Sequence, residues 1–383
     1  MQIYIVREGD SLNSIAAAFG LPPDEIIYVN QLVYPYRLAL GQALLLSEPG
    51  TARQRPVYDR EFFSSGYAYP FIEPTILQDS LPYLTEICVF SYGFTLEGQL
   101  IFPEVDDSWL VRAALEQGTR PMLTLTPFGN DGNFNNYLLS VMLNDAAVRQ
   151  RLIAELLLVM QSKGYQGINI DFEYVLPEDK DAFSRFVAET AAAMHARGLF
   201  VSVALVAKTY AGQPGLLYEG MDYAALGALA DWVLLMTYEW GYTYSEPMPI
   251  APVNWVRRVL AYAVTEITPS KILLGIPNYA YDWTLPYVKG QSKARTMGLV
   301  EAAQQAIDMG AEIFFDEAAQ TPYYNYEQNG LQHTVWFEDV RSLQARLKLV
   351  QEFGLAGGGW WQLMRLFRAG WFLLTDSFYI AEP

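Results

Sequence analysis

Cysteine is nearly absent from this chain. The single one in 383 residues, Cys88, lies inside the apolar run EICVFSYGF, so no intrachain disulfide can form and a buried, inert thiol is expected. Histidine is almost as scarce, with only His195 and His333, which argues against histidine metal sites and Ser–His triads and leaves carboxylates as the chemistry most available. Basic residues are outnumbered, 25 Lys and Arg against 42 Asp and Glu, for a net charge of −17 with no basic run. That balance argues against nucleic acid or an anionic bilayer as the main partner. No stretch reaches the roughly 18 to 20 apolar residues that span a bilayer, so membrane insertion is not expected. Nor does MQIYIVREGDSL hold the apolar core of a cleavable signal peptide, because Arg7 and Glu8 interrupt it. The expectation is a protein made soluble, with any export by another route.

Apolar residues are abundant at 52%, against 17% charged, which is the composition of a folded globular chain. The length suits one domain of about 250 to 320 residues and something small beside it. Aromatics reach 14%, with 26 Tyr and 9 Trp, which suits a surface that stacks on sugar rings and equally an aromatic-rich core.

Residues 1–49 read as a strand, QIYIV, a helix in GDSLNSIAAAFG capped by Asp10 or Ser11 and ended by Gly20, a second helix in PPDEIIYVNQL, and a closing strand, QALLLS. Such a unit is too small for anything but a binding module. Its residues YIVREGDSLNSIAAAFG, NQL and GQALLL resemble a LysM domain over the whole segment. The resemblance implies binding of N-acetylglucosamine-containing glycans, such as peptidoglycan or chitin, through the loop at Gly9, Asp10 and Ser11 and the one near Leu32. A structural cap on the larger domain is the alternative.

Residues 50–60, GTARQRPVYDR, lack periodicity and read as a linker. Beyond it, strand-like runs alternate with amphipathic helices: GYAYPFI, EICVFSYGF, RPMLTLTPF, GINIDFEYV, LFVSVALVA, DWVLLMTYEW, KILLGIPNYAYDW and LAGGGWWQL are the strands. Eight such units predict an α/β fold, a (β/α)8 TIM barrel over residues 61–383. The interval 284–335 is too long for a loop and predicts a small α+β insertion after strand seven, over the barrel mouth.

The stretch GYQGINIDFEYV alternates strictly. Ile168, Ile170 and Phe172 take one face, while Asn169, Asp171 and Glu173 take the other. Burying acids is costly, so the face requires a partner or a function. Strand ends at the C-terminal face of such a barrel carry its chemistry, which favours catalysis over an ion pair. Two carboxylates on one face also raise one another's pKa, keeping one protonated near neutrality as a general acid. For a glycosidic bond, side-by-side placement suits a scheme in which the substrate supplies the nucleophile.

YQGINIDFE resembles the D-G-x-D-x-D-x-E signature of glycoside hydrolase family 18, with Gln166 and Asn169 where chitinases usually carry Asp. LLMTYEW resembles its sixth strand, with Glu239 for the usual Asp, and GGGWWQL its eighth. The resemblance implies a retaining, substrate-assisted hydrolase that needs no metal or organic cofactor. Glu173 would protonate the leaving oxygen while the 2-acetamido oxygen attacks. Asp171 and Tyr238 would orient that acetamide, and Trp361 would floor the site. Asn169, Met236, Glu239 and Tyr92 are the further expected substrate contacts, and Asn169 is expected to leave Asp171 ionised.

The runs MTYEWGY, PNYAYDW and VWFEDVRSLQARLKLV, with one LysM unit, most resemble the spore-cortex branch of the family, bacterial N-acetylglucosaminidases of spore peptidoglycan. That implies a spore-associated protein, in coat or cortex, or otherwise a cytoplasmic or wall-associated one, and a monomer. The alternatives are a chitinase or endo-N-acetylglucosaminidase using the same residues, a catalytically silent lectin, and a coat or assembly protein with an incidental barrel. The presence of Glu173 argues against the lectin, and polar and aromatic residues near strand ends, among them Tyr67, Trp240 and Tyr281, argue against the coat protein.

Overall fold

The computed structural model describes residues 1–48, 55–129 and 132–383. Eight parallel strands close into a barrel: β1 (Glu61–Ala68), β2 (Glu86–Phe94), β3 (Arg120–Leu125), β4 (Gly167–Ile170), β5 (Phe200–Val206), β6 (Trp232–Met236), β7 (Ile272–Pro277) and β8 (Gly357–Trp361). Each pairs with its neighbour in sequence, and β8 and β2 both pair with β1, which closes the ring. Apolar side chains on the outer face meet a ring of helices, as Ile168 and Ile170 do, whereas Cys88, Met122, Leu234 and Leu273 fill the interior. Burial pushes the Cys88 thiol well up, so the thiol stays protonated and inert.

Local signals set the helix ends. Asp145 accepts from Ala147 N and Val148 N to start the helix Ala146–Lys163, and Gly164 ends it in the left-handed conformation at φ 89°. The following helix, Lys180–His195, stops short of its glycine: Ala196 closes it and Gly198 takes the positive φ two residues later. A short helix, Asn136–Asn144, capped by Asn135, precedes them and carries no separate signal in the sequence reading.

Strand seven is shorter than its sequence suggests. KILLGIPNYAYDW is not one element, because Asn278 turns the chain: its N–H donates to Trp361 O at 2.8 Å, and its Nδ2 donates to the carbonyls of Gln362 and Arg365. The run from Ala280 to Thr284 therefore belongs to the insertion, which begins at Ala280 rather than at 284 and ends with Trp336. Five antiparallel strands build it, packed on the helix Leu299–Asp308.

The N-terminal module has the expected order: strand Gln2–Ile5, helices Leu12–Phe19 and Pro23–Asn30, and strand Ala43–Leu46 antiparallel to the first. It is seated on the barrel rather than held off it. Val29 and Leu45 share the buried cluster of the barrel and Ala39 that of the insertion. Ile313 N donates to Leu40 O at 2.8 Å, and Arg368 N donates to Gln31 Oε1 at 2.7 Å. A Cβ on Gly41 would stand 1.9 Å from Ile313 O, so only glycine allows this approach. Of the expected linker, residues 50–54 lie outside the described residues. The remainder is tied down, with Val57 N donating to Asp376 O and Tyr58 N to Ser377 O.

Candidate active site

The C-terminal ends of the strands surround a cleft of about 880 Å³. Strand β4 ends at Ile170, yet its alternation continues through Glu173 before Tyr174 turns the chain at φ 56°. Phe172 stacks on Phe186 under the helices at 5.5 Å, and this contact commits Asp171 and Glu173 to the opposite side, where both line the cleft. Asn169 sits deeper and does not line it. Its Oδ1 accepts from the Tyr67 hydroxyl at 3.1 Å, and its Nδ2 donates to Ser202 Oγ at 2.9 Å.

Asp171 is buried, and its Oδ1 has no hydrogen-bond partner within the protein. Burial raises its carboxyl to about 7. Glu173 is pushed up to about 8, first by burial and then by the charges of Asp171 and Glu239. The negative charge of Asp171 thus adds to the burial that holds a proton on Glu173 into the neutral range. This is the division of labour that acid catalysis beside an anion requires.

Strand β6 delivers the second group of residues. Met236 ends it, and Tyr238 and Glu239 follow into the cleft. A Cβ on Gly275 of β7 would stand 2.8 Å from Tyr238 Cε1 and 2.9 Å from Thr237 N, so glycine there makes room for the tyrosine. Burial and three neighbouring carboxylates hold the Tyr238 hydroxyl far above its usual value, which leaves it a hydrogen-bond donor. Glu239 adopts φ 65°, a left-handed backbone that costs a glutamate on the order of 1 kcal/mol. Its Oε1 accepts from the hydroxyls of Tyr279 at 2.5 Å and Tyr281 at 2.9 Å. Burial raises its carboxyl and the two tyrosines partly offset that.

Trp361, at the end of β8, lines the cleft and packs edge-on against Phe90 at 5.0 Å and Tyr67 at 5.4 Å. Tyr92 is elsewhere. It is fully buried on the outer side of the barrel, where its hydroxyl donates to Asp107 Oδ2 at 2.6 Å, and the expectation that it contacts substrate is corrected. The cause is a register shift in β2 between Val89 and Tyr92, which breaks the alternation and puts Phe90 and Ser91 at the mouth instead. Trp240 is also outside the cleft lining, edge-on to Trp255 at 5.9 Å. Tyr69, Phe71, Glu104, Phe134 and Tyr174 line the cleft without having been singled out in the sequence. Tyr69 and Phe71 follow β1 directly, so an aromatic pair just beyond a strand end was the available signal.

In the N-terminal module Gly9 and Ser11 are exposed, while Asp10 accepts from Tyr4 Oη at 2.6 Å and Arg7 N at 2.8 Å. Ser11 accepts from Ser14 N and caps the first helix. Leu32 turns toward the module's own core, and the exposed apolar groups of that loop are Val33 and Tyr34. Among the described residues, no group of three or more His, Cys, Asp or Glu is placed to hold a metal. Among the same residues, no helix is long and apolar enough to cross a membrane.

An eight-stranded barrel with two acids at the end of its fourth strand defines a class, and comparison with known proteins gives the same one: the chain belongs to glycosyl hydrolases family 18, which matches residues 102–365, and is a glycosidase. The LysM domain matches residues 4–47. Among its relatives is the cortical fragment-lytic enzyme of Bacillus subtilis (strain 168), 36% identical over 100% of this chain and 99% of that one. The crystal structure of the Bacillus cereus spore cortex-lytic enzyme SleL superposes with a TM-score of 0.93 at 32% identity, covering 100% of this chain and 98% of that one. A chitinase from Chromobacterium violaceum superposes at 0.75 with 25% identity, over 82% of this chain and 98% of that one.

Proposed function

We propose that this protein hydrolyses β-1,4 bonds at N-acetylglucosamine in spore-cortex peptidoglycan, with retention and with the substrate's 2-acetamido group as nucleophile. The observation that carries the reading is the projection of Asp171 and Glu173 side by side from one strand end, with the proton on Glu173 and an unpartnered oxygen on Asp171. Glu173 donates its proton to the leaving oxygen. The acetamide oxygen closes on the anomeric carbon, and its N–H donates to the free Oδ1 of Asp171, whose negative charge stabilises the oxazolinium ion. Tyr238 donates to the same acetamide. Glu173, now ionised, takes a proton from the water that opens the ring. Asn169 acts from below, as the amide that fixes Tyr67 and Ser202 beneath the acids.

The spore-cortex substrate rests on the relatives that carry that name, and so does a spore location. The N-terminal module serves as a glycan contact of the same enzyme through Gly9, Ser11 and the exposed Val33 and Tyr34. The test is mass spectrometry of products from purified cortex fragments and from chitin oligosaccharides, with Glu173→Gln as control. Cortex fragments ending in reducing N-acetylglucosamine, absent in the control, support the reading. Cleavage of chitin alone makes the protein a chitinase, and binding without cleavage makes it a lectin.

A further inference from the structure

The sheet of the insertion has two faces, and only one of them belongs to the cleft. Tyr281 and Trp283 pack on the side of Tyr238 and Trp361, so the alternation of the strand Ala280–Thr284 commits Asp282 and Thr284 to the other side, toward the helix Leu299–Asp308. There the register aligns two short rows of polar side chains. Arg295 stands opposite Asp282, and Thr284 stands opposite His333, which is itself opposite Tyr326. These residues line a cavity of about 430 Å³, completed by Lys293, Gln305 and Gln328. Asp282 is buried, and three residues donate to it: His333 Nδ1 to Oδ1 at 2.9 Å, and Tyr326 Oη at 2.6 Å and Gln305 Nε2 at 3.3 Å to Oδ2.

Holding the helix on the sheet accounts for Asp282, Tyr326 and Gln305, but not for the groups around the opening. A carboxylate engaged on both oxygens is a poor ligand for a cation. It instead fixes the His333 ring by its Nδ1, and Nε2 has no partner among the described residues. Lys293 is exposed and forms no ion pair among the same residues, while Arg295 reaches Glu301 Oε1 at 3.0 Å across an exposed bridge. Two cations against one carboxylate leave the lining with positive charge in excess, on a chain whose net charge is −17. That excess suits a single anionic group, and the Thr284 hydroxyl and Gln328 amide offer partners for a peptide unit attached to it. We propose that this cavity is a second binding site, for the terminal carboxylate of a short peptide, with Lys293 and Arg295 facing the carboxylate. The site deepens the glycosidase reading and rests on it for one point: peptidoglycan carries such peptides and chitin does not.

The test is nuclear magnetic resonance of the full-length chain with its histidine rings isotopically labelled, because only His195 and His333 then give signals and His195→Gln assigns them. At constant pH the chain is titrated with N-acetyl-D-alanyl-D-alanine, with the same dipeptide as its C-terminal amide, and with inorganic phosphate. The free acid is expected to shift the His333 signal saturably and to leave His195, paired with Asp231, in place. The amide is expected to bind about tenfold more weakly or worse. Lys293→Gln alone, which breaks no ion pair in the folded chain, is expected to weaken the free acid about threefold, and Lys293→Gln with Arg295→Gln about tenfold. A His333 signal that does not saturate, or an acid and an amide that bind alike, overturns the proposal, as does an affinity unchanged in both variants. Phosphate that binds as tightly as the free acid overturns the assignment to a peptide. Cleavage is read separately: failure of the unmutated protein to cleave cortex fragments or chitin oligosaccharides overturns the glycosidase reading and leaves the dipeptide result standing.

Discussion

Replacing Glu173 by glutamine should make the protein more stable and far less active, and the stability gain should depend on pH in one direction. The Glu173 carboxyl sits at about 8 in the folded chain against 4.5 for a free side chain. A native pKa above the unfolded one means that the folded state holds the extra proton. The folded state is therefore penalised progressively as pH rises from 4.5 through about 8. At about 1.4 kcal/mol per tenfold, the full separation corresponds to about 5 kcal/mol. Coupling to Asp171 and water in the open cleft reduce this to about 2 kcal/mol. Glutamine keeps the shape and has no proton to lose, so thermal unfolding should show the variant roughly 3 °C above the parent at pH 8.5 and much nearer to it at pH 5.5. The same change should lower kcat by about a hundredfold to ten-thousandfold. Melting curves displaced equally at both pH values, or a variant less stable at pH 8.5, would refute the account of how burial tunes this acid.

Tyr238→Phe removes a donor aimed at the reacting acetamide. It should cost about a hundredfold in kcat with KM within a few fold, which initial rates on a chromogenic N-acetylglucosaminide would show. Gly275→Ala forces a methyl to within 2.8 Å of the Tyr238 ring and 2.4 Å of Leu235 O, so a loss of about 1 to 3 kcal/mol in urea unfolding is expected, with activity falling further than stability explains. Removing the tyrosine donors in Tyr279→Phe with Tyr281→Phe raises the Glu239 carboxyl further. Less negative charge then faces Glu173 near neutrality, so the basic limb of kcat against pH should move to lower pH. Arg368→Ala loses the bond to Tyr28 O, the ion pair with Asp79 and the contact over the Tyr28 ring at 4.2 Å. Stability should fall by about 1 to 2 kcal/mol, as urea unfolding would show.

How much of this could be read from the sequence depended on whether a local pattern controlled the outcome. The fourth strand was legible because a two-residue period over seven residues leaves only one way to bury Ile168, Ile170 and Phe172. The second strand misled because its alternation is broken by a register shift that no residue type announces. Tyr92 then exchanged places with Phe90 as the residue that counts. PNYAYDW misled for a different reason: the turn at Asn278 is fixed by carbonyls more than 80 residues away, on the loop after β8. The tyrosines beyond that turn reach Glu239 only because of it. Glu104 and Phe71 belong to loops, where position follows from the folded scaffold and not from any period.

The seating of the small N-terminal module has a mechanical consequence. A glycan-binding module on a slack tether lets a catalytic domain sweep a sphere around its anchor, and the substrate concentration it experiences is set by tether length. Here the anchor shares buried side chains with both the barrel and the insertion, so there is no sphere to sweep. Once the module grips an insoluble strand, the cleft's distance and heading relative to that grip are those of a single solid body. To reach a bond at another spacing the protein must let go and land again. Its advance through a polymer then follows the module's rate of release, in steps of one landing each, in the manner of a stamp and not of a tethered search.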